Sequence, residues 1–407
     1  MSDTRLTTWV YPWDLLDVGV DHALGDIMDR AGIGNVAVAS IYHSGRFLLP
    51  HNPRRKVYFP RSGMVYFRPD PNWYGKLAIT PPRWTTVMED DFWPRLVSEI
   101  HARGGELTSW CLGLHSSGVG EEHPEYAVEN AFGDVLTTDL CPSNPEVVEY
   151  LATAVADAAT ATSADRMLLE SFEYMPFQHG FHHEVIGVPV PARTALLLTL
   201  CFCTGCRQRA KSADTDAEEI RAWVIREVER HFDDPFVAAP PFSWSELRAE
   251  CGGAIGAYLD LRSEAVTTLI REVTSRVRSR SSARIGLVDF GPLYATGPDA
   301  SAWESGLDLA ATAPVVDELH PAFYLTDSDA HANSVDEYLR AAPAETAIHG
   351  AIRAILPQVS SPASLDSYLD PLQGRVDGLS FYNYGFMARQ TLDWIQDAAA
   401  GLRWRSE

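Results

Sequence analysis

The chain has 407 residues, 46% of them hydrophobic, and a formal net charge of −22. That acidity, with no basic block, argues against nucleic acid, whose phosphates call for clustered Lys and Arg. No apolar stretch reaches about 18 residues and the N-terminus carries no basic-then-apolar leader, so the expectation is a cytoplasmic protein without a membrane span.

Eight short β-like runs follow one another along the chain. They are Leu6–Tyr11, Asn35–Tyr42, Glu106–Leu114, Arg166–Phe172, Arg284–Phe290, Val316–Leu325, Ala347–Leu356 and Gly378–Tyr384. Stretches with apolar spacing near 3.6 lie between most of them. DHALGDIMDRAGI precedes the second run and FWPRLVSEIHARGG the third. NPEVVEYLATAVADAAT precedes the fourth, with Asn144 as N-cap and Pro145 at the first helical position. SEAVTTLIREVTSRVRSRS precedes the fifth and SVDEYLRAA the seventh, and QTLDWIQDAAAGL follows the eighth.

Strand and helix alternating eight times predict a single α/β domain, a (β/α)₈ TIM barrel with right-handed crossovers. An open doubly wound sheet would place a glycine-rich loop after the first strand, where this chain has Pro12-Trp13-Asp14-Leu15. Two insertions account for the length beyond about 250 residues that such a barrel needs. One spans about residues 45–91, after strand two, and carries Tyr58, Phe59, Tyr66, Phe67, Trp73, Tyr74 and Trp84. The other spans about residues 174–243, after strand four. Both leave C-terminal strand ends, so both are expected at the catalytic face, the first as a wall or lid of a cleft.

Barrel enzymes carry their chemistry on those strand ends. Here they offer Trp9 and Tyr11, Tyr42 and His43, His115, Glu170 and Glu173, Asp289, His320 and Tyr324, Arg353, then Tyr382, Asn383 and Tyr384. Aromatic faces with dense hydrogen-bonding groups suit a carbohydrate or glycoside. Glu170 interrupts the apolar run Met167-Leu168-Leu169, and a buried carboxylate is costly unless paired or used. It is either catalytic or half of an ion pair inside the barrel, with Arg353 as the natural partner. Glycosidic cleavage takes two carboxyl groups. Asp289 is the first candidate for the second, unless backbone donors at its strand end occupy it, and Glu173 is another. His179 and His182, in the loop after strand four, are candidate donors for substrate, with ordinary loop histidines or a metal site as the alternatives.

Cys201, Cys203 and Cys206 form a compact C-x-C-x₂-C loop suited to structural Zn²⁺, which takes four tetrahedral ligands. Cys141 is the first choice for the fourth, then Cys111; three buried free thiols are the alternative. No organic cofactor is called for, and a homo-oligomer is compatible with the sequence. The three lysines, Lys56, Lys76 and Lys211, lie outside the strands, which disfavours Schiff-base chemistry.

Two segments resemble known families. DRMLLESFEYMP, with the upstream LCPSNPEVVEYL, resembles the fourth-strand region of bacterial glycoside-hydrolase-like barrels, in which an aspartate ends the strand and a Tyr-Ile-Arg-Tyr-Pro-like segment follows. Glu170 falls on the aspartate and Tyr174 on the tyrosine. The cysteine trio is similar to the zinc loop of the family 42 β-galactosidases, where a fourth cysteine lies upstream, as Cys141 does here. That resemblance implies an acid/base glutamate at the end of strand four, Glu170 or Glu173. Those enzymes place a nucleophilic glutamate on strand seven, whereas AIHGAIRAILP holds no carboxylate. The reading is therefore a glycosidase acting by carboxylate acid/base catalysis. A sugar lyase or epimerase working through His and Tyr, or a non-catalytic carbohydrate-binding barrel, is the alternative.

Overall fold

The computed structural model describes residues 3–82, 91–179, 184–238, 243–294 and 304–405. Eight parallel strands form the barrel: β1 (Asp3–Val10), β2 (Ile33–Tyr42), β3 (Leu107–Leu112), β4 (Arg166–Glu170), β5 (Arg284–Asp289), β6 (Glu318–Pro321), β7 (Ala347–Arg353) and β8 (Gly378–Tyr382). Each pairs with its sequence neighbours, and β8 pairs with β1 to close the ring. All eight coincide with the runs legible in the sequence. The outer helices include α1 (Phe92–Ala102), α2 (Pro145–Thr162), α3 (Ala254–Arg278), α4 (Ser328–Ala341), α5 (Pro362–Leu369) and α6 (Arg389–Ala399). The Asn144 side chain caps α2 by accepting the Glu146 N–H at 2.9 Å. None of the described helices is long and apolar enough to cross a membrane.

Period-two alternation splits each strand between two layers. Met167 and Leu169, Ile285 and Leu287, Ile348 and Ile352, Leu379 and Phe381 face the helices in the main core. Trp9, Trp110, Leu168, Val288 and Ala351 fill the lumen. A separate apolar cluster, around Phe202, Ile220, Trp223 and Val224, packs the insertion after β4 onto Tyr258 and Leu259 of α3.

The first insertion divides in two. Phe47 stacks on Tyr11 at 5.1 Å, and Tyr58 and Tyr66 meet the Trp13 ring at 4.8 and 5.8 Å. The Tyr74 hydroxyl instead bonds Asp157 on α2 at 2.9 Å, outside the barrel. Trp84 lies outside the described residues. A short hairpin, Ala127–Glu129 with Val135–Leu140, adds a third excursion between β3 and α2 that the sequence reading passed over.

The lumen floor is polar. Arg166 Nε lies 3.2 Å from Glu318 Oε1, and His320 Nε2 lies 3.2 Å from Glu318 Oε2. Gly286 admits the imidazole, since a Cβ there would stand 2.8 Å from His320 Nε2. Burial works to raise the Glu318 carboxyl, but the His320 hydrogen bond and the His349, His320 and Arg166 charges hold it well below the carboxylate range. Its contribution to stability is present above the unfolded value and lost as pH falls through the lowered folded one. Arg166→Met, which takes from buried Glu318 its arginine partner and leaves it the histidines, is expected to destabilise by up to about 3–5 kcal/mol in urea unfolding at neutral pH. The deficit should shrink as acid protonates Glu318 in the variant; an unchanged stability at neutral pH would mean that the pair is dispensable.

Candidate active site at the barrel mouth

Above the floor, the lumen narrows to two layers of rings. Trp9 and Trp110 meet at 4.7 Å, and over them sit Tyr11, Tyr42 and Tyr382. The Tyr11 and Tyr382 hydroxyls are 3.0 Å apart. Burial pushes the Tyr11 and Tyr42 phenols well above their usual value, and Tyr382 is raised by the same cause.

Glu170 belongs to this upper layer. It shares the lumen side of β4 with Leu168 and is 7% exposed. Its Oε2 accepts the Trp110 indole N–H. No ion pair joins it to Arg353 or to any other described cation, so the ion-pair alternative raised by the sequence is not what the structure shows. Burial pushes its carboxyl up to about 8, while the Trp110 hydrogen bond works to lower it. Trp110→Phe, which deletes that donor, is expected to raise it further, read by ¹³C NMR of labelled glutamate; an unchanged titration would show that the indole does not tune it.

The chain turns sharply after Glu170. Ser171 takes a φ of 56°, a left-handed conformation that costs a non-glycine residue about 1–3 kcal/mol. The turn tucks Glu173 in at 2% exposure. Burial first, then the like charges of Asp289 and Glu170, push the Glu173 carboxyl up to about 8. Asp289 is fully buried but shares its side of β5 with Ile285 and Leu287, toward the helices. Its Oδ1 accepts the Gly291 N–H at 2.7 Å, and burial raises it to about 6. Expected as a lumen carboxylate, Asp289 is thus occupied by a backbone donor behind the strand end, where it acts on Glu173.

The remaining sequence candidates separate into groups. His43 stacks on Tyr42, meets the His115 ring at 4.7 Å, and His115 meets His179 at 5.0 Å. Burial and then the His115 charge lower His179 to about 4. His179 also lines a cavity of about 270 Å³ with Asp139, Phe177 and Glu184. Tyr324 and Arg353 lie beside Tyr382 at the mouth. Trp9 lies one layer below the tyrosines. His320 is a correction: β6 begins only at Glu318, two residues into its sequence run, so His320 sits low in the lumen and its bond to Glu318 makes it part of the floor. Asn383 is another: it is fully buried, and its Oδ1 accepts the Gly385 N–H at 2.9 Å to cap a turn. His182 lies outside the described residues.

Three groups escaped the sequence reading. Trp110 alternates like any core residue of β3, and only the burial of Glu170 marks it. Asp139 pairs with His115 at 3.5 Å from the overlooked hairpin. Asp14, noted in the sequence only as part of Pro12-Trp13-Asp14-Leu15, is buried, accepts the Tyr11 N–H at 3.2 Å and is pushed up to about 8 by burial.

The four cysteines meet beside the mouth. Cys141 Sγ lies 3.5, 3.7 and 3.6 Å from those of Cys206, Cys201 and Cys203. A tetrahedral zinc with bonds of about 2.3 Å sets sulfur–sulfur edges of about 3.8 Å, so the donor set fits that ion. Cys111 stands apart, against Ser40 Oγ at 3.1 Å.

No protein-family model matches the chain, and no curated protein sequence matches it. Solved structures do. The fucosidase isoenzyme 2 of Paenibacillus thiaminolyticus superposes with a TM-score of 0.56 at 10% identity, over 98% of this chain and 49% of that one. The PgaB (BpsB) glycoside hydrolase domain of Bordetella bronchiseptica gives 0.55 at 11%, over 97% and 99%. The β-galactosidase of Marinomonas ef1 gives 0.55 at 11%, over 98% and 59%. The chain thus spans about half of the fucosidase, three-fifths of the galactosidase and nearly all of the PgaB domain. At such identities the likeness establishes the fold, a barrel of the kind glycoside hydrolases use.

Proposed function

We propose that the barrel mouth hydrolyses a glycosidic bond, with Glu170 as general acid and Glu173 supplying the second carboxyl group. The observation that carries this reading is Glu170 itself: facing the lumen, unpaired with any described cation, framed by tyrosines and held near pH 8 by burial. A carboxyl group kept protonated at neutral pH beside an aromatic cleft can give its proton to a departing alkoxide. Trp110 fixes its rotamer, and the rings of Tyr11, Tyr42 and Tyr382 offer faces on which a sugar can stack. The glycosidases among the structural neighbours support a carbohydrate as the ligand.

Elimination by a tyrosine base fits less well, because phenols raised by burial surrender their protons reluctantly. A panel of nitrophenyl glycosides tests the proposal. Hydrolysis should release nitrophenol and a reducing sugar without a new double bond. An unsaturated sugar would favour the lyase, and binding without turnover would favour a carbohydrate-binding barrel.

The same reading places Zn²⁺ among Cys141, Cys201, Cys203 and Cys206 as a structural ion. The segments around the cysteines support it. The Tyr258 hydroxyl of α3 donates to the Cys201 carbonyl at 2.6 Å, and Phe202 N–H donates to Glu129 of the hairpin at 2.6 Å. A metal there would tie the hairpin and the insertion after β4 to one point beside α3.

A further inference from the structure

Arg353 is the last residue of β7, on the lumen side with His349 and Ala351 and in register with Tyr382 of β8. Its guanidinium carbon lies 5.7 Å from the Tyr324 ring centre and 6.0 Å from that of Tyr382. Its Nε is buried and has no hydrogen-bond partner. Among the described residues no carboxylate reaches it, although the chain has 55 acidic residues to 33 basic ones. Arg166 is ion-paired to Glu106 and Glu318 and Arg276 to Glu149, while the buried Arg262 donates to the Glu304 carbonyl.

A guanidinium at the mouth with its Nε buried and unbonded, and with no carboxylate partner among the described residues, has bonding capacity left for a ligand. Cation–π contact returns less than a bidentate carboxylate provides. The planar fork of a guanidinium matches a carboxylate in shape and charge. A phosphate dianion calls for further cations, and the three lysines lie outside the barrel strands. Tyr382 is a neighbour common to both groups, since its phenol, raised chiefly by burial, feels the charges of Glu170 and Arg353.

We propose that Arg353 binds the carboxylate of an acidic sugar, which makes the substrate class a glycuronide. The inference rests on the reading that the mouth takes glycosides, and it explains two features together. A strand end that holds no carboxylate presents a cation there instead. The acid of the same mouth, Glu170, is pushed up to about 8 by burial and so is neutral at the pH at which a uronate arrives charged, and it does not repel the ligand.

Calorimetric titration separates this claim from the catalytic one. Glucuronate and galacturonate are compared with glucose, galactose, glucose 6-sulfate and glucose 6-phosphate, on wild type, Arg353→Gln, Arg353→Lys and Glu170→Gln. At least one uronate should bind wild type tenfold or more tightly than its neutral counterpart and more tightly than the sulfate or phosphate. Arg353→Gln should erase that preference, Arg353→Lys should keep part of it, and Glu170→Gln should retain it. A wild type that favours neutral sugars, sulfate or phosphate overturns the assignment, as does a uronate preference that survives in Arg353→Gln. If Arg353→Gln fails to fold, full retention of the preference in Arg353→Lys overturns it, because a point charge then serves as well as the fork. An Arg353-dependent uronate preference in a protein that hydrolyses no glycoside leaves this assignment standing and removes the hydrolase reading.

Discussion

Glu170→Gln should fold normally and lose turnover by about 10²-fold or more, the scale of one acid/base group. Glutamine keeps the size of the side chain and an oxygen for the Trp110 indole, and it removes the proton. The loss should be smaller with a nitrophenyl leaving group, which departs with little protonation. Stability provides an independent check. Burial raises Glu170 from 4.5 to about 8, so the folded state holds a proton that the unfolded chain releases above its own value. Wild-type stability therefore falls as pH rises from about 4.5 towards about 8. The variant has no such titration, so its melting temperature should equal or exceed that of wild type, with the gap widening across that window. A variant that unfolds while Glu173→Gln stays active would make Glu170 a structural group and place the chemistry elsewhere.

Cys203→Ser should cost the protein its zinc. Metal analysis of the wild type should find about one Zn²⁺ per chain, and the variant should retain a small fraction of that. The ion's contribution to folding is large, about 10–16 kcal/mol in isolated zinc-binding peptides. In this protein the barrel folds around its own core, so the loss should be local and partial. Unfolding entropy of about 2.1 cal/mol/K per residue makes a loss of roughly 5 kcal/mol read as a fall of about 6 °C in melting temperature. Resistance of the segment around residues 191–238 to protease should drop more than that of the barrel. Wild-type protein that is fully folded and metal-free after purification in zinc-containing buffer would remove the ion from the account.

The barrel was legible because eight strands each read as a compact β-like run and the segments between them kept helical spacing. Asn144 and Pro145 marked the start of α2 by their chemistry alone. The cysteine trio was legible as a chelating loop, and the choice of Cys141 over Cys111 agrees with where the chain places the four thiols. What the strand-end inventory could not supply was the direction of each side chain. A one-residue difference in phase turns a strand residue to the other face, which is why Asp289 lies towards α4 and not in the lumen. Depth was equally hidden. His320 and Tyr324 sit on one sequence run, yet one belongs to the floor beside Glu318 and the other to the mouth beside Arg353. The hairpin that brings Asp139 to His115 carries strands of three and six residues, too short and polar to register against the helix that follows. Trp110 was silent because an indole in an apolar strand looks like packing until a carboxyl group is found against it.

The central claim is that Glu170 works as a proton donor. It is tested most directly by the pH dependence of kcat/KM for a glycoside with a poor leaving group, such as a methyl glycoside, in wild type and Glu170→Gln. An acid must be protonated to act, so wild-type kcat/KM should fall as pH rises through about 8. The residual activity of Glu170→Gln should lack that limb. The same basic limb in both proteins would contradict the account, because the titrating group would then be some other residue.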